Sequence, residues 1–157
     1  GALSIRAALV WPQARVLGID AWPPAYNYSQ RMCEKNAESE GVAVRCRFQR
    51  GDANKLDFPD GRFDAVVSNY VYHNITGADR QALLLETLRV LKKGGVFALN
   101  DDMKPRMYGD MEAFAQELRD MGYEDVRLID TAQEAFGSRR RAAMMMLGDS
   151  RMLVGRK

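Results

Sequence analysis

The strongest constraint on what this chain can fold into is a recurring unit: a short apolar run that ends at once in an acidic or amide residue. Val16-Leu17-Gly18-Ile19 leads to Asp20, and Arg47-Phe48-Gln49-Arg50-Gly51 leads to Asp52. Phe63-Asp64-Ala65-Val66-Val67 leads to Ser68-Asn69-Tyr70, and Val96-Phe97-Ala98-Leu99 leads to Asn100-Asp101-Asp102. Apolar runs of this length, separated by helical stretches, read as strands buried on both faces of a parallel sheet. On such sheets ligands bind beyond the carboxyl ends of the strands, which is where these polar residues fall. The expected fold is therefore α/β, a three-layer α-β-α sandwich around a mostly parallel sheet.

The stretches between the runs support this. Ala2 to Trp11 reads as a helix ended by Pro12, and Tyr28 to Glu40 as a helix stopped by Gly41. Trp22-Pro23-Pro24 is a rigid turn, and Phe58-Pro59-Asp60-Gly61 a second one. Val42 to Gln49 alternates apolar and polar residues as a strand does. Thr76-Gly77-Ala78-Asp79 resembles a capping box before a helix running to about Lys92, with Gly94-Gly95 closing it. Met111, Phe114, Ala115, Leu118 and Met121 mark one helix face, ended by Gly122. Val126–Ile129 and Met152–Val154 are the last strands. A short helix is expected over Ala142–Leu147, its three methionines filling core.

At 157 residues and 46% hydrophobic content the chain suffices for one domain with a real core. A net charge of +2 and a single basic run, Arg139-Arg140-Arg141, make no case for nucleic acid. That run reads as a solvated helix end. Cys33 and Cys46 are the only cysteines and lack metal-ligand spacing, which points to a reducing, cytoplasmic setting. His73 is the only histidine, so a His-based metal cluster is not available within these residues. No apolar run approaches the roughly 18 residues of a membrane span.

A Rossmann-like sheet carries a glycine turn after its first strand and an acid after its second, about 20 residues on. Asp20 follows Gly1 by nineteen positions. A carboxylate there would accept hydrogen bonds from both ribose hydroxyls of an adenosine, and Asp52 would either accept from an adenine amine or serve as a turn or helix-cap residue. Taken together, Gly1-Ala2-Leu3-Ser4, Val16–Asp20, Gly51-Asp52-Ala53, Phe63–Asn69 and Leu91–Val96 resemble the class I S-adenosylmethionine-dependent methyltransferases. The nearer resemblance is to the small-molecule type related to the ubiquinone/menaquinone methyltransferases. It covers nearly the whole of residues 1–157, read as one methyltransferase domain, and it implies a Rossmann-like sheet closed by Val126–Ile129 and an antiparallel last strand, Met152–Val154.

This resemblance implies S-adenosylmethionine as cofactor and a small-molecule methyl acceptor, transfer being an in-line displacement. It implies Gly1 in the cofactor loop, Asp20 on the ribose, Ala21 and Trp22 beside the adenine and Asp52 with Ala53 at its edge. Asn69 and Tyr70 would line the methionine end. The family's first strand and the opening glycines of its loop are expected upstream of Gly1, so the domain reads as N-terminally incomplete. His73, by its residue type, is the candidate general base, although a loop residue bonded to backbone is an equally simple role. Asp101 and Asp102 could bind a substrate amine or hydroxyl, or serve turns and caps. Two other functions compete: a non-catalytic Rossmann-like partner-binding domain, and an NAD(P)-dependent oxidoreductase, although no Tyr-x-x-x-Lys dyad is present.

Overall fold

The computed structural model describes residues 1–23 and 27–157. Pro24 of the expected Trp22-Pro23-Pro24 turn lies outside them. The chain forms two compact units, Gly1–Lys55 and Leu56–Lys157.

The first unit is helix, strand, helix, strand: α1 (Ala2–Val10), β1 (Val16–Asp20), α2 (Gln30–Ser39) and β2 (Cys46–Arg50). β1 and β2 pair in parallel, Val16 opposite Cys46 through to Asp20 opposite Arg50. Ser29 caps α2 by accepting the Met32 N–H at 3.3 Å, and Gly41 leaves the helix at a φ of +70°, where a Cβ would be strained. The core consists of Ile5, Ala8, Cys33, Ala37, Val42, Cys46 and Phe48, with Val16, Trp22 and Ala43 against it. Gly18 has to be small: a Cβ there would stand 2.7 Å from both the Phe48 ring and the Ser4 hydroxyl. The Arg45 guanidinium donates to the Ala8 and Trp11 carbonyls and so closes the end of α1.

The strand expected over Val42 to Gln49 is present only from Cys46. Before it, Arg45 and Cys46 donate to the Val42 carbonyl at 3.0 and 2.9 Å and fold those residues into a turn. Val42 is buried there while Val44 is 92% exposed. An apolar alternation over a turn had looked like a strand.

The second unit holds β3 (Phe63–Asn69), α3 (Arg80–Arg89), β4 (Leu91–Asp102), α4 (Pro105–Tyr108), α5 (Met111–Asp120), β5 (Glu124–Ile129), α6 (Thr131–Phe136), α7 (Arg139–Met144) and β6 (Ser150–Arg156), with a 3-10 turn at Tyr72–Asn74. Its sheet runs β3-β4-β6-β5. β3 and β4 are parallel, while β6 is antiparallel to both β4 and β5. β3, β4 and β5 thus share one direction and only the last strand is reversed, as expected.

Two boundaries differ from expectation. α3 stops at Arg89, and Leu91 already pairs with Phe63. Lys92 to Gly95 then bulge out before Ala65 takes up Val96 as partner. The bulge needs glycine: Gly94 has a φ of +76°, and a Cβ on Gly95 would meet the Asp64 and Lys92 carbonyl oxygens at 2.9 Å. The cap of α3 is Asp79, accepting from Gln81 and Ala82, with no reciprocal box from Thr76.

The methionine expectation is corrected more strongly. Met144, Met145 and Met146 are 87%, 63% and 76% exposed. α7 turns only Ala142 inward, and Met144 falls one turn beyond the exposed Arg140 on the opposite face. The core is carried instead by Leu83, Leu84, Leu88, Leu91, Phe97, Leu99, Phe114, Leu118 and Leu153, all buried. α5 buries Met111, Phe114, Ala115 and Leu118, as its spacing demands. Met121, expected on that face, is its exposed C-cap.

Candidate functional site

In the first unit Asp20 ends β1. Its Oδ1 accepts the Trp22 N–H at 2.8 Å and its Oδ2 the Tyr28 hydroxyl at 3.1 Å. A carboxylate offers about four acceptor positions, so this geometry orients the group and leaves acceptor positions for a vicinal diol. The Asp20 carbonyl accepts the Gly51 N–H at 3.0 Å, which brings Gly51-Asp52-Ala53 to the same end of the sheet. Gly51 permits a close approach there, since a Cβ would lie 2.5 Å from an Ile19 methyl.

Asp52 is exposed and closes a small turn, its Oδ1 accepting the Asn54 N–H at 2.8 Å and side-chain amide at 2.7 Å. Those bonds, the backbone one first, hold its carboxyl below the usual range. Trp22 sits at a φ of +42° and packs against the core. Its indole Nε1 is buried with no acceptor among the described residues. Gly1 is the N-cap residue of α1, and a Cβ on it would fall 2.9 Å from Cys33 Cβ and from the Phe48 ring. Ala21 is exposed and Ala53 half-buried.

In the second unit the polar ends of β3 and β4 meet. Asn69 Oδ1 accepts the Asn100 amide at 2.8 Å, and the Tyr70 N–H donates to the Asn100 carbonyl at 2.9 Å. Tyr70 has a φ of +54°, uncommon for a bulky residue, and swings the chain into the Tyr72–Asn74 turn. Its hydroxyl lies 2.6 Å from Ser150 Oγ, which lies 2.8 Å from Thr131 Oγ1, which in turn donates to Asn100 Oδ1 at 2.9 Å.

Asp101 is fully buried. Its Oδ2 accepts the N–H groups of Val71 at 3.1 Å, Tyr72 at 2.8 Å and His73 at 3.4 Å. Its Oδ1 accepts the Asp102 N–H at 2.7 Å and meets His73 Nδ1 at 2.5 Å. Asp102 is buried too, with Oδ2 on Lys104 Nζ at 2.7 Å. Burial, and then the Asp101 charge, push the Tyr108 phenol far up; burial does the same to Tyr72, whose hydroxyl is 2.9 Å from Thr87 Oγ1. Both phenols are held as neutral hydroxyls.

The structure therefore brings Asp20 together with Asp52 in one unit and Asn69, Tyr70 and His73 together in the other. The Asp101 carboxylate, open in the sequence between substrate binding and a turn role, is directed at His73 and its loop. Thr131 and Ser150 carried no sequence signal, being small polar residues at element ends. Among the described residues no group of three or more His, Cys, Asp or Glu could hold a metal ion. No helix among them is long and apolar enough to cross a membrane.

These features define a Rossmann-like domain with acidic residues at its strand ends, and comparison with known proteins is consistent with it. Residues 1–99 match the family described as methyltransferase domain, and the chain belongs to that family. It is 42% identical over 84 residues to a demethylmenaquinone methyltransferase of Thermus thermophilus, covering 54% of this chain and 34% of that one. It is 31% identical over 94 residues to a sterol 24-C-methyltransferase of Aspergillus fumigatus, covering 60% of this chain and 23% of that one. The chain thus spans about a third or less of the length of these relatives. In fold it is similar to a geranyl diphosphate C-methyltransferase from Streptomyces coelicolor, with a TM-score of 0.71 at 12% identity over 99% of this chain and 68% of that one.

Proposed function

We propose that this chain transfers a methyl group from S-adenosylmethionine to a small organic acceptor. The observation that supports this reading most is the Asp20 carboxylate. It stands at a strand end, braced by the Trp22 N–H and the Tyr28 hydroxyl, with acceptor capacity left for both hydroxyls of a ribose. Asp52 and Ala53 supply the neighbouring edge for an adenine amine, and the Trp22 indole N–H, without an acceptor among the described residues, is a further donor on that unit. Gly1 and Ala21 complete this side. Asn69 and Tyr70 keep the methionine-end role that the resemblance implies.

When bound, S-adenosylmethionine supplies a methyl group on a positively charged sulfur. The chain's own task is alignment: holding the adenosine by charge-assisted bonds, presenting the acceptor, and giving any proton it loses a place to go. His73 is the group for that last role. The relatives are named for methylation of a quinone precursor and of a sterol, which fits an acceptor of low polarity. The buried, unpaired Cys33 and Cys46 suit a reducing, cytoplasmic setting.

Calorimetric titration with S-adenosylhomocysteine tests the reading. One-to-one binding is expected, weakened in Asp20→Ala by about 1.5–3 kcal/mol, the worth of hydrogen bonds to a charged group. Binding that is absent, or indifferent to Asp20→Ala, would overturn it and favour a partner-binding domain.

A further inference from the structure

We infer that the turn ending α7 is a docking point for an anionic lipid surface, with Met144, Met145 and Met146 entering the interface and Arg140 and Arg141 meeting lipid phosphates. The inference goes beyond the methyl-transfer reading and stands on a different part of the second unit.

The turn is built to expose apolar side chains. The Met145 N–H donates to the Ala142 carbonyl at 3.0 Å, the Met146 N–H to the Ala143 carbonyl at 2.9 Å and the Leu147 N–H to the Ala142 carbonyl at 2.9 Å. The last two bonds are the pair that closes a helix through a left-handed residue, and that residue is Met146, at a φ of +62°. Glycine is the usual occupant, because a Cβ is strained there. α6 follows that rule and leaves through Gly137 at a φ of +68°. α7 instead keeps a long apolar side chain at the strained position and turns it to solvent, beside two more. Backbone strain of this kind clusters at functional sites. Beneath the turn Ala142 is buried, and a Cβ on Gly148 would stand 3.2 Å from Ala143 Cβ, so small residues seat it closely.

The charges beside the turn select the partner. Residues 131–148 hold three arginines and one carboxylate, Glu134. Asp130 takes Arg139 at 2.6 Å, whereas Arg140 and Arg141 are exposed and make no ion pair among the described residues. Arg140 and Met144 lie one turn apart on the outward face of α7. An apolar tip with cations at its base fits a bilayer of anionic lipid: the thioether chains enter the acyl boundary while the guanidinium groups bind phosphate at headgroup level. A protein groove that takes a helix reads an apolar stripe over two or more turns, and α7 is only six residues long. The place also has a use. Ser150, four residues past Met146, has its Oγ 2.6 Å from the Tyr70 hydroxyl. Four residues span at most about 14 Å, so docking would bring the end of β3 close to the lipid.

Vesicle flotation of the whole chain tests this. Vesicles of equal parts phosphatidylglycerol and phosphatidylcholine should bind it, at low salt, at least about tenfold more tightly than phosphatidylcholine alone. Arg140→Gln combined with Arg141→Gln should weaken that binding about thirtyfold, the worth of two arginines near an anionic surface. Met144→Ser, Met145→Ser and Met146→Ser combined should weaken it at least about tenfold. None of these side chains is in the core or the candidate site, so the melting temperature should stay as in the parent. Met145→Trp keeps the tip apolar and covers the case in which the triple variant does not fold. Its added fluorescence should shift to the blue on anionic vesicles and be quenched by brominated acyl chains. Absence of binding to the anionic vesicles overturns the inference, as does binding that survives the serine changes. A Met145→Trp signal untouched by brominated lipid overturns it too. Self-association of the parent in ultracentrifugation, abolished by the serine changes and indifferent to vesicles, would assign the tip to a second copy of the chain instead. Binding of S-adenosylhomocysteine is a separate readout, on which docking does not depend.

Discussion

The first unit and the second solve the same packing problem with different amounts of material. Gly1–Lys55 packs Ile5, Ala8, Cys33, Ala37, Val42, Cys46 and Phe48 around a two-stranded sheet, and no leucine is buried among them. Leu56–Lys157 packs leucines, Phe97 and Phe114 around four strands. A fully buried leucine or phenylalanine is worth about 1.5–3 kcal/mol, so the second unit has a far larger apolar reserve. A two-stranded sheet by itself is marginal. The difference teaches where each kind of chemistry is placed. The Asp20 and Asp52 carboxylates stand on the thin core, where most of the rigidity is local hydrogen bonding. The Asp101–His73 pair stands on the thick one, where a wholly buried carboxylate can be held.

The largest effect should come from Phe48→Ala. It removes a buried aromatic ring of the first core and should cost about 3–5 kcal/mol. Hydrogen exchange should then show residues 16–20 and 46–50 losing protection while 96–102 keep theirs. Loss in both stretches together would break the comparison and make the two units one cooperative body. Next comes a matched pair, Gly18→Ala and Gly155→Ala. Each glycine lies beneath a phenylalanine ring, with an added Cβ 2.7 Å from Phe48 or from Phe97. Each should cost about 1–3 kcal/mol by overpacking. The thin unit should lose order and the thick one merely shift its melting temperature; equal behaviour would argue that core size does not matter here.

Alkali sharpens the contrast more gently. Burial, above all, raises the Cys46 thiol from its ordinary 9.0. The fold therefore favours the neutral thiol: this contribution to stability is complete below that ordinary value and is lost as pH rises through the raised one. In the second unit the corresponding raised groups are Tyr72, Tyr108 and Tyr123, which start from 10.0. Circular dichroism with thiol titration should find the first unit loosening at lower pH, and simultaneous loosening would refute the ordering. The smallest effect belongs to Lys92→Gln. It removes an ion pair with Asp64 at 2.7 Å on an open surface, and the melting temperature should not move measurably.

Much of this fold was legible because strands that end in polar residues leave a pattern in the sequence. Asp20, Asp52, Asn69 and Asp101 were all found that way: Asp20 and Asn69 end strands, Asp52 follows one, and Asp101 is the penultimate residue of β4. What the pattern could not carry was pairing between distant residues. That Asp101 meets a residue 28 positions earlier depends on the parallel register of β3 and β4 and on the left-handed Tyr70 between them. Composition misled at Met144–Met146, since apolar side chains on a very short helix have no periodicity long enough to say which way they face. Val44 misled in the same way inside a turn.

Those exposed methionines have a consequence for how the molecule ages. Thioethers in open solvent are the first to become sulfoxides under oxidants, and here Met144, Met145 and Met146 offer adjacent targets, while Met103 and Met111 are only 3% and 5% exposed. Oxidative wear would therefore register at Met144–Met146, beside Arg140 and Arg141, and at the exposed Met32 and Met121, well before it reached the packed interior.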